Sequence, residues 1–179
     1  MGKNKYIFVD ICWTLFYSNT TYDFLQIKGN RLNSLIYRLF RYDVVRSRAI
    51  KRFNRYSREE QLSHAEQFYT DYLEPRKIDE VWRMIKGKEI ILVSQTMDII
   101  AETVAKHIGA KAYFATQTKE EVLAHYSEFD IITDNRSDIE LIKRAKQATI
   151  VTYNNLSRWK KLLPQDLNVR FIETGRNKY

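Results

Sequence analysis

Five polar residues have the types and spacing to act together: Asp10, Ser94, Lys119, Asp134 and Asp138. A carboxylate such as Asp10 can serve as a nucleophile that takes up a phosphoryl group. Two carboxylates from separate segments can ligate a hard cation such as Mg²⁺, which demands oxygen donors. A hydroxyl and an ammonium can hold the remaining phosphoryl oxygens and balance the charge that builds in the transition state. Asp138 lies one helical turn beyond Asp134, so both can face one site. Ordinary roles compete with this chemistry. Asp10 could cap a turn, Asp134 and Asp138 could cap the helix that follows them, and Ser and Lys are common at helix starts.

Short apolar runs must position these residues. They are "YIFVD" (6–10), "EIILVS" (89–94), "KAYFAT" (111–116), "FDIIT" (129–133) and "ATIVT" (148–152). Each is continuous rather than alternating, which predicts parallel strands covered on both faces. Asp10 and Ser94 close the first two runs and Asp134 follows the fourth, so the set gathers where open parallel sheets do chemistry, at the carboxyl ends of the strands. Helical patterns separate the runs. Residues 97–109 place Ile100, Ala101, Val104, Ala105 and Ile108 on one face, with Gly109 as C-terminal cap. "TKEEVLAHY" opens with a capping box, Thr118 and Glu121, and residues 137–148 put Ile139, Ile142 and Ala145 on one side. The alternation from residue 89 onward predicts an α/β fold, a Rossmann-like parallel sheet with helices on both faces. A last short strand is expected around Val169 to Ile172.

Residues 17–87 read differently, as an inserted all-helical cap. Leu32, Leu35, Ile36, Leu39 and Phe40 recur at helical spacing in residues 31–40. Residues 57–73 open with a second capping box, Ser57 and Glu60, and residues 75–87 start at Pro75 and stop at Gly87. The expected organisation is therefore a core of residues 1–16 and 88–179 with a cap of residues 17–87.

Composition sets bounds on function. With 179 residues and 44% hydrophobic content, the chain can bury a real core as one domain with a subdomain. Cys12 is the only cysteine, which excludes an intrachain disulfide and argues against a zinc cluster. Asp10 interrupts the first apolar run, so no signal-peptide core forms, and no uncharged stretch is long enough to span a bilayer. A cytoplasmic location follows as the expectation. The net charge of +8 favours anionic partners.

The sequence resembles the haloacid dehalogenase superfamily, and within it the phosphoserine-phosphatase-like branch with a type 1 cap. "VDICWTL" looks like the first motif, "ILVSQT" like the second, Lys119 in "TKEEVL" like the third-motif lysine, and "IITDNRSD" like the fourth. Four motifs in order carry the resemblance, which spans roughly residues 5–153. It implies a Mg²⁺-dependent phosphohydrolase acting on a small phosphorylated substrate, a phosphomonoester, through an aspartyl-phosphate. Asp10 would be nucleophile and metal ligand, the Cys12 carbonyl a second ligand, and Thr14 would steady the loop. Ser94, Gln95 and Lys119 would bind the phosphoryl group. Asp134 would ligate the metal, and Asp138 would serve the metal site or hold Lys119. A weaker likeness is to the domain fused ahead of some polyprenyl-phosphate prenyltransferases.

Two positions depart from that pattern. Cys12 stands where the superfamily has a second Asp, the general acid, whose help is worth about 10²–10⁴-fold. Trp13 stands where a glycine often supplies a positive φ. A second expectation is therefore a catalytically impaired protein that binds a phosphorylated or anionic ligand or partner. A third concerns residues 31–58, with nine Arg or Lys and one acidic residue interleaved with aromatics. This segment could be a solvated basic face, a lid over an anionic substrate, or a contact for an anionic membrane surface or polyprenyl phosphate. Nucleic acid ranks below these as its partner.

Overall fold

The computed structural model describes residues 6–25, 42–115 and 117–175. Six strands form one sheet: β1 (Tyr6–Val9), β2 (Glu89–Val93), β3 (Ala112–Phe114), β4 (Asp130–Thr133), β5 (Gln147–Thr152) and β6 (Val169–Glu173). Their order is β3-β2-β1-β4-β5-β6, and every pairing is parallel. The α/β architecture with a Rossmann-like sheet is thus the fold. Parity along each strand explains the two layers that cover the sheet. Ile7, Val9, Ile90 and Leu92 point to one side, while Phe8, Ile91 and Val93 point to the other.

The first side is covered by α5 (Asp98–Ile108) and by helices that lie between β1 and β2. These are α1 (Thr20–Phe24), α2 (Tyr42–Phe53), α3 (Arg58–Phe68) and α4 (Asp79–Ile85). The second side is covered by α6 (Lys119–Leu123), α7 (Ile139–Arg144) and α8 (Leu156–Leu162), which bury Val122, Leu123, Leu141, Ile142 and Trp159. Both expected capping boxes form: Ser57 with Glu60 at α3, and Thr118 with Glu121 at α6. Gly109 ends α5 in the left-handed region at φ 66°, as its place after the apolar stripe predicts.

The structure shortens three helical expectations. Pro75 heads a 3₁₀ turn, Glu74–Arg76, instead of α4. Lys77 and Ile78 are extended because the Ile78 N–H donates to the Leu15 carbonyl at 2.9 Å, which pulls the chain beside the loop after β1. The 57–73 segment is α-helical to Phe68 and then widens into a π-turn, Tyr69–Leu73. Residues 137–148 divide into a 3₁₀ turn, Arg136–Asp138, then α7, and Gln147 already belongs to β5. The helical pattern of residues 31–40 lies outside the described residues, as does residue 116 at the end of the expected third strand. Among the described residues no helix is long and apolar enough to cross a membrane.

Candidate active site

β1 sits at the centre of the sheet, and Asp10 follows it directly. The Asp10 N–H donates to the Ile132 carbonyl at 3.0 Å, so the backbone is still held by β4 where the side chain turns into solvent-facing space. One carboxylate oxygen, Oδ1, accepts from the Ile11 N–H at 2.7 Å. The other accepts from Lys119 Nζ at 2.5 Å. Lys119 is the first residue of α6, so the capping box fixes the turn from which its side chain departs. The ammonium also reaches Asp138 Oδ2 at 2.6 Å, and the side chains of both residues are almost wholly buried. Burial alone would lower the lysine pKa. Asp10 and Asp138 outweigh that effect and hold it charged well above its usual range.

Asp138 is itself fixed. Its Oδ2 accepts from Thr133 Oγ1 at 2.5 Å, and its Oδ1 from Ser137 Oγ at 3.3 Å. Asp134 stands between β4 and the 3₁₀ turn, and its Oδ1 accepts from Thr14 Oγ1 at 3.3 Å. Its carboxyl is pushed up to about 7, first by burial and then by the negative charge of Asp10, with Lys119 and Thr14 offsetting part of the rise. Asp10, Thr14, Lys119, Asp134 and Asp138 are therefore one connected group, assembled from three segments: the loop after β1, the start of α6 and the stretch after β4.

Cys12 belongs to a different network. Its Sγ lies 3.1 Å from Thr20 Oγ1, which lies 2.7 Å from Thr96 Oγ1, and Thr96 in turn lies 3.1 Å from Thr21 Oγ1. The thiol is pushed up to about 11 by burial and then by the charge of Asp10. Trp13 takes the positive φ that a glycine would supply, at 53°. A bulky residue there costs about 1–3 kcal/mol. The Tyr153 hydroxyl donates to the Trp13 carbonyl at 2.5 Å, and the two rings meet edge to face at 5.6 Å. That contact from the end of β5 holds the strained turn.

These groups open into a cleft of about 740 Å³. Asp10, Cys12, Ser94, Gln95, Lys119, Asp134 and Asp138 all line it; of the expected residues only Thr14 does not, and it donates to Asp134 from behind. Ser94 is buried at the end of β2, and its N–H donates to the Phe114 carbonyl at 3.1 Å. The exposed Gln95 presents its carbonyl to the Arg46 guanidinium at 3.2 Å, which links α2 to the loop after β2. Lys111, by contrast, lies beside Tyr6 and Glu89 at the opposite ends of the strands. Sequence reasoning missed Thr20, Thr21, Thr96, Tyr153 and Arg136, while Arg46 belongs to the basic segment 31–58. The threonines carry no signal beyond a helix start, and Tyr153 reaches Trp13 from 140 residues away.

No protein-family model matches the sequence, and no curated protein matches it either. Solved structures do match the fold. A protein of unknown function from Bordetella pertussis Tohama I is 13% identical with a TM-score of 0.71, over 94% of this chain and 99% of that one. An apo phosphoserine phosphatase is 12% identical with a TM-score of 0.50, over 94% of both chains. A cytosolic 5′-nucleotidase IIIB bound to cytidine is 8% identical with a TM-score of 0.54, over 96% of this chain and 81% of that one. The chain therefore shares the haloacid-dehalogenase-like fold found in phosphatases and nucleotidases.

Proposed function

We propose that the chain is a Mg²⁺-dependent phosphohydrolase that cleaves a small phosphomonoester through an aspartyl-phosphate on Asp10, with residues 17–87 acting as a cap over the cleft. One observation carries the reading: a single buried ammonium, Lys119, joins Asp10 to Asp138 in the cleft that Asp134 also lines. A structural ion pair has no need of a cleft, whereas a phosphoryl group needs such a cation beside its acceptor.

The donor set suits a magnesium ion. Two carboxylates, Asp10 and Asp134, face the same cleft, and the repulsion that raises Asp134 is what a cation between them relieves. Among the described residues no three His, Cys, Asp or Glu side chains gather to hold a metal. Two carboxylates and the Cys12 carbonyl, completed by water, match the habit of Mg²⁺, which keeps several waters. When bound, the ion would neutralise charge on the phosphoryl oxygens. Asp10 would then attack phosphorus, with Lys119 and Ser94 holding the phosphoryl oxygens. Asp138, already occupied by Lys119 and Thr133, would position Lys119 rather than ligate the metal.

The test is phosphate release across a phosphomonoester panel with Mg²⁺ for the native protein, Asp10→Asn and Cys12→Asp. Metal-dependent release that Asp10→Asn abolishes supports the reading. No release by the native protein, with no phosphate bound covalently to Asp10, would overturn it. The Cys12 network favours a second reading, a protein that binds a phosphorylated ligand with little turnover. A neutral thiol among hydroxyls replaces the acid that would protonate a leaving group. Release by Cys12→Asp where the native protein shows binding alone would establish that second reading.

A further inference from the structure

Among the described residues three cations line the cleft: Lys119, Arg46 and Arg136. Lys119 is spent on Asp10 and Asp138. Arg46 commits one amino group to the Gln95 carbonyl, a neutral acceptor. Arg136 is half-buried, and among the described residues its guanidinium makes no ion pair or hydrogen bond. Its place is nevertheless fixed. It opens the 3₁₀ turn that Asn135 caps by accepting from the Ser137 N–H at 3.1 Å, two residues after Asp134. An unpaired guanidinium on a held backbone beside a charged site is a ready receptor for a planar or tetrahedral anion, which its fork binds in two places. The cleft is also of the size that holds a whole metabolite, well beyond one phosphoryl group.

We infer that the substrate carries a second anionic group, a carboxylate or a second phosphate, and that Arg136 binds it while the first phosphate meets Asp10 and Lys119. This rests on the phosphoryl-binding reading of the cleft. Uncharged polar neighbours, Asn19 and Asn155, line the same space and suit the hydroxyls of such a molecule. The role of Arg136 is selection between substrates, so its signature is a ratio rather than a rate.

Matched pairs test it. For the carboxylate arm, 3-phosphoglycerate is compared with glycerol 3-phosphate; for the phosphate arm, fructose 1,6-bisphosphate is compared with fructose 1-phosphate. Affinity is measured by calorimetry and kcat/KM by phosphate release, both with Mg²⁺, for the native protein, Arg136→Lys and Arg136→Met. In at least one arm the native protein should favour the doubly anionic member about 10- to 100-fold. Arg136→Met should erase that ratio, and Arg136→Lys should keep part of it. Equal affinities for both members of both pairs, or a ratio that Arg136→Met leaves intact, overturns the inference. Turnover without preference would sink it and leave the phosphohydrolase reading standing. Preference in binding with no turnover and no phosphorylated Asp10 would do the reverse.

Discussion

Asp10 and Cys12 are two residues apart and line one cleft, yet their surroundings have opposite characters. Around Asp10 the contacts are ionic: Lys119 links two buried carboxylates, and Thr133 donates to one of them. Around Cys12 they are neutral, a thiol and three threonine hydroxyls in a row. On the proposed reading, the first environment would stabilise charge on an incoming phosphoryl group. The second can pass hydrogen bonds but holds no group that is charged at neutral pH. The contrast separates two tasks that one pair of carboxylates would perform together, attack on phosphorus and proton transfer. The proposed phosphohydrolase reading assigns this cleft the first.

The sharpest way to break the comparison is to remove its cation. Lys119→Ala leaves Asp10 and Asp138 buried without their partner, and an unfolding titration should register a loss of about 3–5 kcal/mol. A loss below about 1 kcal/mol, the size of an exposed pair, would mean that the ionic half is not what it looks like. Next comes the neutral half. Cys12→Asp should raise phosphate release by about 10²–10⁴-fold on the same panel. Thr20 can turn its hydroxyl to donate to the new carboxylate, so the network accepts the change. No gain would show that proton transfer is not the step the cleft lacks. Thr20→Val is expected to cost about 1–3 kcal/mol of stability, because Cys12 and Thr96 lose the hydroxyl between them. An effect near zero would make the threonine row incidental. The smallest change is Tyr153→Phe, about 0.5–1.5 kcal/mol, through the lost bond to the Trp13 carbonyl. That cost should shrink in a Trp13→Gly background, where the left-handed backbone no longer needs to be held.

The ionic half was the more legible in the sequence. Asp10, Ser94, Lys119 and Asp134 each stand where a continuous apolar run ends or a capping box begins, and such runs report strand ends directly. The continuous apolar runs "YIFV" and "EIILV" likewise foretold a sheet buried on both faces. Of the neutral half, only Cys12 stood out in the sequence. Thr20, Thr21 and Thr96 meet only because α1 returns beside the loop after β2, and a threonine at a helix start reads the same with or without that meeting. Trp13 shows both sides of the matter. Its place in the motif pointed to a positive φ, which it has, but the tyrosine that holds it lies 140 residues away along the chain. Pro75 misled because its fixed φ suits a 3₁₀ turn as well as a helix start, and the tertiary bond from Ile78 to Leu15 decided between them.

The central place of β1 has a consequence for how the chain acquires its site. Both neighbours of β1 come from far along the sequence, with Tyr6 opposite Glu89 and Ile7 opposite Asp130. The β4–β5 and β5–β6 pairs, by contrast, join strands that are close in sequence. Long loops must be closed before the distant pairings are rewarded, so they form slowly, and neighbouring strands have the kinetic advantage. During synthesis Asp10 emerges well before Lys119, Asp134 and Asp138. Until β4 is made, the strand that carries it has one open edge, and its carboxylate has neither cation nor companion. The residue placed earliest is thus among the last to find its surroundings, and a chain halted short of β4 holds Asp10 without its partners.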